Sequence, residues 1–308
     1  MSTAAVKFES VKKTYKSRQG RIEALKGLDL VIPEGQIFGF AGPNGAGKST
    51  SIKILVGLIR PDEGAVTVFG HPSGSKAAKS LIGFLPEVTL YHEFMSAKEL
   101  LAIHATLSGI PANEIAGKCE EALERVGLSD RVNYRLKEFS KGMKQRFGIA
   151  QAIVGNPKLL VLDELTSGLD PKAQAELLTL LTELKAQGLT IFFSSHHLRE
   201  IEKICDSVAI IHQGTLRTSG TLDEVLGEDV TVSLKVMTKD GQEPKGELAQ
   251  WRRDSDGGFL TIIKKSETLA LIQSLEGQVE RIHNLETRRQ SLEEIFHRMT
   301  PKEEAEKS

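Results

Sequence analysis

The N-terminal part of the chain alternates between apolar and polar positions in a way that predicts β-strands. Three strand-like runs lie at Val6–Tyr15, Ala24–Ile32 and Ile37–Ala41, separated by the turn-rich segments SRQGR and PEG. A further strand is predicted at Ala65–Gly70, after the turn RPDEG. Alternation with a period of two residues turns one side of each strand towards a core. The sequence therefore predicts a β-rich beginning.

The middle of the chain has a helical pattern. Between Ser96 and Val154 the spacing of apolar residues predicts helices that start after Ser96, Pro111 and Ser140. We therefore predict a helical subdomain at about residues 88–155.

Two buried strands are predicted after this subdomain. The apolar runs LLVL and TIFFSS flank a predicted helix at Lys172–Gln187. Parallel strands that are covered on both faces typically read as continuous apolar runs. This arrangement predicts a β-α-β unit in an α/β domain with a parallel sheet.

The pattern changes near residue 227 and predicts a second, smaller α+β domain. The segments VTVSLKV, GFLTIIKK, ETLALIQSL, QVERIHNLE and SLEEIFHRM predict strand, strand, helix, strand and helix. We place the first domain at residues 1–227 and the second at 228–299. Residues 300–308 are too polar to bury a core, and we expect a mobile tail.

A glycine-rich segment between a predicted strand and a predicted helix carries the most specific chemistry. GPNGAGKS at Gly42–Ser49 matches the phosphate-binding pattern G-x-x-x-x-G-K-[ST] at every fixed position. Glycines let backbone N–H groups turn towards phosphate oxygens, and the positive end of the helix dipole favours the same charge. A turn that binds nothing is the alternative. The predicted phosphate-binding residues are Gly42, Pro43, Asn44, Gly45, Ala46, Gly47, Lys48, Ser49 and Thr50.

Two acidic residues follow the buried strand LLVL directly. An acid pair at this position is costly unless it has a partner, and a magnesium ion beside the phosphates would supply one. Asp163 suits the metal, together with the hydroxyl of Ser49, because Mg²⁺ prefers oxygen ligands. Glu164 is the candidate general base for the attacking water, with Lys48 reaching the terminal phosphates. A solvated turn with ordinary surface acids is the alternative.

Further motifs resemble the ATP-binding-cassette (ABC) family. Phe139–Arg146, FSKGMKQR, is similar to the signature segment of that family, and Ser167–Asp170, SGLD, is similar to the turn after its acid pair. The resemblance implies that His196 reads the γ-phosphate and that Tyr15 stacks on adenine. Alone, either residue would more often be a strand residue without this role. In the family's order, these motifs cover about residues 6–226.

The resemblance also implies a fold and a dimer. The fold is a P-loop NTPase cassette: a RecA-like parallel sheet with an antiparallel β subdomain and a helical subdomain. Ser140, Gly142 and Asp170 would serve the nucleotide held by a second copy, so that two chains enclose two ATP molecules as a homodimer. The alternative for Ser140 is helix capping only.

Three positions depart from the usual spelling of the family. Glu87 stands where the family usually has a glutamine that senses magnesium. We therefore predict Glu87 as a metal ligand that is negatively charged where the usual ligand is a neutral amide. The signature has Lys141 where glycine is common, a spelling frequent in exporters. Leu165 replaces the usual proline, which should relax the turn without removing either acid.

The composition limits the classes of partner that the chain is expected to bind. Forty basic residues nearly balance forty-one acidic ones, and no basic block favours nucleic acid. No stretch approaches the ~18 apolar residues of a membrane span. We therefore expect a cytoplasmic subunit that reaches the inner face of the cell membrane through a separate integral permease.

Two other functions compete with transport. A soluble ABC ATPase of DNA repair or translation usually carries coiled coils, zinc inserts or two cassettes, none of which the sequence contains. A P-loop kinase or GTPase would leave the signature segment unexplained, and the guanine-reading motif NKxD does not occur. The preferred function is an ATPase that energises an exporter.

Overall fold

The computed structural model describes residues 4–17, 20–227, 230–245 and 249–299. These residues form two compact units, Met1–Leu222 and Asp223–Ser308. The division falls at the start of a short helix, Leu222–Leu226. The predicted boundary after residue 227 stays a prediction, and the predicted tail at 300–308 lies outside the described residues.

The strands and helices alternate along the first unit and recur in a shorter series in the second. The strands are β1 (Ala4–Ser17), β2 (Gly20–Pro33), β3 (Ile37–Ala41), β4 (Glu63–Val68), β5 (His71–Pro72), β6 (Ile82–Leu85), β7 (Leu159–Asp163), β8 (Thr190–Ser195), β9 (Ser207–His212), β10 (Thr215–Thr221), β11 (Val230–Thr238), β12 (Arg252–Arg253), β13 (Phe259–Lys264) and β14 (Val279–Arg289). The helices are α1 (Lys48–Leu55), α2 (Lys76–Ser80), α3 (Ala97–Leu107), α4 (Ile115–Arg125), α5 (Lys141–Ile153), α6 (Pro171–Ala186), α7 (Leu198–Ile204), α8 (Leu222–Leu226), α9 (Thr268–Ser274) and α10 (Leu292–Met299).

A six-stranded sheet forms the centre of the first unit. Its strand order is β10-β9-β3-β8-β7-β6, and all neighbouring strands are parallel except β10 and β9. The strands β3, β7 and β8 are buried along their whole length, which explains their continuous apolar sequences. This sheet confirms the predicted α/β fold.

A second, antiparallel sheet accounts for the β-rich beginning of the chain. Its order is β2-β1-β4-β5. Residues from this sheet and from the central sheet share one hydrophobic core, in which the rings of Phe38 and Phe192 stack 6.2 Å apart. The antiparallel β subdomain is thus packed against the central sheet, whose strand β3 leads into the glycine-rich loop.

The helical part of the first unit contains α3, α4 and α5. Ser96 begins α3 with a capping box completed by Glu99, and Ser140 begins α5 by accepting the N–H of Met143. The helix predicted after Pro111 begins only at Ile115, because a turn closed by the Glu114 N–H and the Pro111 carbonyl comes first.

Three further strands of the central sheet are not named by the sequence analysis. They are β6, β9 and β10, which lie at or near the two edges of the sheet. The short apolar runs of β6 and β9 cannot be told from buried helical segments by apolar pattern alone. Strand β10, TLRTSGT, has Leu216 as its one apolar residue and therefore lacks an apolar pattern.

The second unit is a four-stranded antiparallel sheet with helices. Its order is β12-β13-β11-β14, and its core contains Val232, Leu234 and Val236 of β11 with Leu271 of α9. Strand β13 alternates strictly, with Phe259, Thr261 and Ile263 buried. Apart from the very short β12, the order of elements follows the prediction.

Neither cysteine of the chain forms a disulfide. Cys119 and Cys205 are buried free thiols, and burial raises the pKa of both. Both residues act as small apolar groups in packing. Within the described ranges, the structure contains no helix whose length and apolar character would let it cross a bilayer.

Candidate functional site

The glycine-rich loop lies between β3 and α1, as the sequence predicts. Gly45 and Gly47 have φ values of 78° and 109°, a region that side chains other than glycine rarely adopt. A Cβ atom at Gly47 would lie 2.7 Å from the backbone oxygen of Ala24. The loop can therefore keep this shape only with glycine at these positions.

The side chain of Lys48 lies beneath this loop and is only 5% exposed. Its Nζ donates hydrogen bonds to the backbone oxygens of Gly42 at 2.6 Å and of Pro43 at 3.3 Å. The same Nζ is 3.3 Å from Oε1 of Glu164. Lys48 thus contacts both the predicted phosphate-binding loop and the candidate general base.

The two predicted acids lie at the end of β7 and have different side-chain partners. Asp163 ends the strand, and its Oδ1 accepts a 2.6 Å hydrogen bond from the Ser194 hydroxyl. Glu164 follows with a φ of 49°, which is strained for a residue other than glycine. Its N–H points to the backbone oxygen and the hydroxyl oxygen of Ser194, each at 3.2 Å. Neighbouring strand β8 therefore fixes both acids.

His196 contacts the candidate base directly. Its Nδ1 is 2.6 Å from Oε2 of Glu164, and its backbone N–H points to the same oxygen at 3.3 Å. The ring of His197 lies 3.9 Å from the ring of His196. His196, the histidine selected from the sequence, is thus the one in contact with Glu164.

These side chains open into a cavity of about 660 Å³, a size typical of small-ligand sites. Most of the predicted phosphate-binding residues line it, together with Tyr15, Glu87, Glu164 and His196. The remaining lining residues were not predicted. They are Ile22, Glu23, Ala24, Lys26, Ser167 and Gln213.

Except for Ser167, the unpredicted residues of the cavity come from segments without a motif. Ile22, Glu23 and Ala24 belong to β2, and Gln213 has a φ of 49° in the turn between β9 and β10. Ser167 was identified within the turn SGLD, although no position in the cavity was assigned to it. A strained turn residue such as Gln213 has no sequence signal, because glycine or asparagine is the usual residue there.

The oxygen atoms predicted for a metal lie at and behind the cavity wall. Ser49 and Glu87 line the cavity, whereas Asp163 is buried and held by Ser194. Across the residues that the structure describes, no group of three or more His, Cys, Asp or Glu residues could hold a metal ion alone. The oxygen-only set fits Mg²⁺, which commonly takes its remaining ligands from substrate phosphates and water.

Five predicted nucleotide-binding residues are not part of this cavity wall: Gly42 and Ala46 of the loop itself, and Ser140, Gly142 and Asp170. Ser140 begins α5 by capping the N–H of Met143 at 3.2 Å. Asp170 begins α6 by accepting the N–H groups of Lys172 and Ala173. Gly142 lies in the first turn of α5. The lining of the described cavity includes none of Ser140, Gly142 and Asp170.

Known proteins match the chain over most of its length. Residues 25–167 match the protein family described as ABC transporter. The chain is 38% identical over 300 residues to an uncharacterised ABC transporter ATP-binding protein of Nostoc sp., with 95% of the chain and 89% of that relative covered. The chain therefore belongs to the ABC transporter ATP-binding proteins.

Other relatives of this ABC subunit have named functions. The linearmycin resistance ATP-binding protein LnrL of Bacillus subtilis is 36% identical, with 74% of each chain covered. The Nod factor export ATP-binding protein I of Burkholderia thailandensis is 30% identical, with 98% of this chain and 99% of the relative covered.

Solved structures agree with the fold. A dimeric ATP-binding cassette in a post-hydrolysis state, bound to ADP and phosphate, has a TM-score of 0.63 and 26% identity, covering 71% of this chain and 99% of that one. The ATP-binding subunit of an ABC transporter has the same TM-score and 32% identity, covering 72% and 91%. The present ABC subunit thus binds and hydrolyses ATP and energises a membrane transporter.

Proposed function

We propose that the cavity at the glycine-rich loop holds the triphosphate and that Glu164, His196 and Lys48 carry out its hydrolysis. The observation that carries this proposal is the convergence on Glu164, whose carboxylate contacts both His196 Nδ1 at 2.6 Å and Lys48 Nζ at 3.3 Å. These three side chains come from separate elements and meet at the wall of one cavity. Such a meeting of charged groups is typical of a reaction site.

Glu164 is the group that orients the attacking water and accepts its proton. A carboxylate can do this only if it is aimed at the water, and the contact with His196 restricts where Oε2 can point. The Lys48 ammonium, now bound to Gly42 and Pro43, offers positive charge where phosphate oxygens would lie. Positioning and charge therefore supply most of the catalysis, as is usual in phosphoryl transfer.

Mg²⁺ is the cofactor that the oxygen atoms near the loop fit. Ser49, Asp163 and Glu87 would hold it together with phosphate oxygens. When bound, the ion neutralises negative charge that develops on the phosphates. Glu87 adds a full negative charge where the family usually has an amide, and we expect this site to bind the ion more tightly.

A second copy of the chain completes each site in this proposal. Ser140, Gly142 and Asp170 are separate from the cavity wall of their own chain, and two of them cap exposed helix starts whose N–H groups favour anions. Head-to-tail pairing would bring them to the partner's nucleotide. The related cassette bound to ADP and phosphate is dimeric, which supports the same arrangement.

The transporter partner is a separate integral permease, and the direction of transport is export. Two relatives support this direction through their names, Nod factor export and linearmycin resistance. The subunit would then act at the cytoplasmic face of the membrane. The balanced charge of the chain gives no support for a nucleic acid partner.

Purification from membranes tests this partnership. The tagged chain, extracted in mild detergent from cells that produce it at native level, should retain an integral membrane protein with several spans. The Glu164→Gln variant with ATP should retain more of it, because the ATP-bound dimer persists. Recovery of the chain alone from both preparations would contradict the transporter partnership.

Stacking by Tyr15 provides a separate test of the base site. Tyr15 lines the cavity and is 38% exposed, so its ring can accept adenine. Because stacking on a base contributes about 1–3 kcal/mol, Tyr15→Ala should weaken ATP binding by roughly tenfold to a hundredfold. Tyr15→Phe should bind normally, and so should Tyr134→Ala, which changes a partly exposed tyrosine that does not line the described cavity. Fluorescence titration with a labelled ATP analogue measures the change, and equal affinity for Tyr15→Ala would remove Tyr15 from the site.

A further inference from the structure

A buried carboxylate outside the cavity wall connects the two loops of the proposed reaction site. Glu200 lies in the first turn of α7 and is only 8% exposed. Its Oε2 accepts a hydrogen bond from Thr166 Oγ1 at 2.6 Å and another from Ser195 Oγ at 3.0 Å. No motif of the sequence analysis includes Glu200.

Both hydroxyl partners border residues of the reaction site. Thr166 is 1% exposed and follows Leu165, which itself follows Glu164. Ser195 directly precedes His196, and its Oγ also accepts the backbone N–H of His197 at 2.9 Å. Glu200 therefore restrains the backbone on both sides of the Glu164–His196 contact.

The contacts form a closed path, which we call the Glu200 network. It runs from the Glu164 side chain to His196, along the backbone to Ser195, through Glu200 to Thr166, and along the backbone to Glu164. Strain such as the φ of 49° at Glu164 persists only where surrounding contacts hold the residue in several ways at once. The network supplies such contacts close to the strained residue.

The burial of Glu200 indicates that its acceptor oxygen has a function beyond packing. Burying a carboxylate is costly unless it is well hydrogen-bonded, and a simple apolar side chain would anchor α7 without that cost. Hydrogen bonds to a charged acceptor are shorter and stronger than neutral ones, consistent with the 2.6 Å distance to Thr166. Besides packing, Glu200 therefore fixes the distance between the loop of Thr166 and the loop of Ser195.

We propose that Glu200 is a positioning residue for ATP hydrolysis, which holds Glu164 and His196 in register through the hydroxyls of Thr166 and Ser195. This inference rests on the roles proposed above for Glu164 and His196. Glu200 is not among the residues that line the described cavity, so it acts without touching nucleotide. The network should therefore affect turnover and leave ATP binding unchanged.

Five single variants of the full chain, and one double variant, test the network. Glu200→Leu removes the acceptor and Thr166→Val removes one donor, each with little change in volume. Glu200→Gln keeps an acceptor oxygen, and Thr166→Ser keeps the hydroxyl. Glu202→Leu, on the same helix, is the matched control because its side chain is only partly buried and Glu202 is not one of the five residues on the path described above.

The expected result is a loss of kcat without a loss of affinity. Glu200→Leu and Thr166→Val should lower kcat by roughly tenfold to a hundredfold, because a displacement of about 1 Å in a reacting group can cost that much. The dissociation constants of Glu200→Leu, Thr166→Val and Glu202→Leu for a labelled ATP analogue should all stay at the wild-type level. Glu200→Gln and Thr166→Ser should recover most of kcat. The double variant Glu200→Leu/Thr166→Val should be no slower than the slower single variant, since both changes open the same path.

Three results would overturn the inference: wild-type kcat in both disruptive variants, equal losses of kcat and of ATP affinity, or a Glu200→Gln variant as slow as Glu200→Leu. If Glu200→Leu does not fold, Thr166→Val carries the same test. Glu164→Gln, measured in parallel, separates this inference from the proposed function. If Glu164→Gln still hydrolyses ATP normally, the proposed function fails; if it stalls while the network variants turn over normally, only the role of Glu200 fails.

Discussion

The Glu164→Gln variant is expected to bind ATP normally and to hydrolyse it at least about a hundredfold more slowly, since general acid–base catalysis contributes roughly 10²–10⁴-fold. Glutamine keeps the size of the side chain, so the cavity and the phosphate loop should be unchanged. It cannot accept the proton of water as a carboxylate does. The variant should therefore accumulate in the ATP-bound state.

Accumulation of the ATP-bound state can also be measured as a change in oligomeric state. With ATP present, Glu164→Gln should elute as a dimer on sizing chromatography, whereas the wild-type chain should return to monomer as it hydrolyses ATP. Glu183→Gln, on the exposed side of α6, is the control and should behave as wild type. Normal hydrolysis by Glu164→Gln would remove Glu164 from the mechanism.

The Lys48→Ala variant is expected to lose ATP binding itself. Lys48 donates to the loop oxygens of Gly42 and Pro43, and its Nζ also lies 3.3 Å from Oε1 of Glu164. A hydrogen bond to a charged group contributes about 1.5–3 kcal/mol, so losing one or two such bonds to phosphate should weaken binding about a hundredfold. Equilibrium binding of a labelled ATP analogue measures this change.

A control on the same helix separates the effect of removing the Lys48 charge from the effect of removing any lysine of α1. Lys53→Ala removes an exposed lysine from the last turn of α1 and should bind ATP normally. The unfolding temperatures of both variants should be compared, because Lys48 is buried and also stabilises the loop. A folded Lys48→Ala variant with wild-type affinity would contradict the proposed phosphate site.

The parts of the fold that the sequence predicts well are those in which local chemistry and tertiary packing agree. The hydroxyl of Ser140 caps α5, and the run LLVL forms the fully buried strand β7. Gly42–Gly47 forms the loop between β3 and α1, and glycine fits the left-handed backbone at Gly45 and Gly47. Agreement between local preference and global fold makes such segments predictable.

The contacts within the site could be predicted less well than its members. Sequence identifies Glu164 and His196 separately, but the 2.6 Å contact between them depends on β7 and β8 being neighbours and on the strained φ of Glu164. Lys48 was expected to reach phosphates, and its bonds to Gly42 and Pro43 were not foreseen. Glu200 lacks a pattern altogether, since its role depends on burial between two hydroxyls.

Each chain should hold the triphosphate of one ATP molecule at Gly42–Thr50, and isothermal titration calorimetry of the purified chain with ATP measures this binding, first with excess Mg²⁺ and then with a chelator. We expect saturable binding of one ATP per chain, tighter with Mg²⁺ and much weaker in Lys48→Ala. If the folded protein gives no binding heat at several temperatures, with Mg²⁺ or without it, then the proposed triphosphate site is wrong.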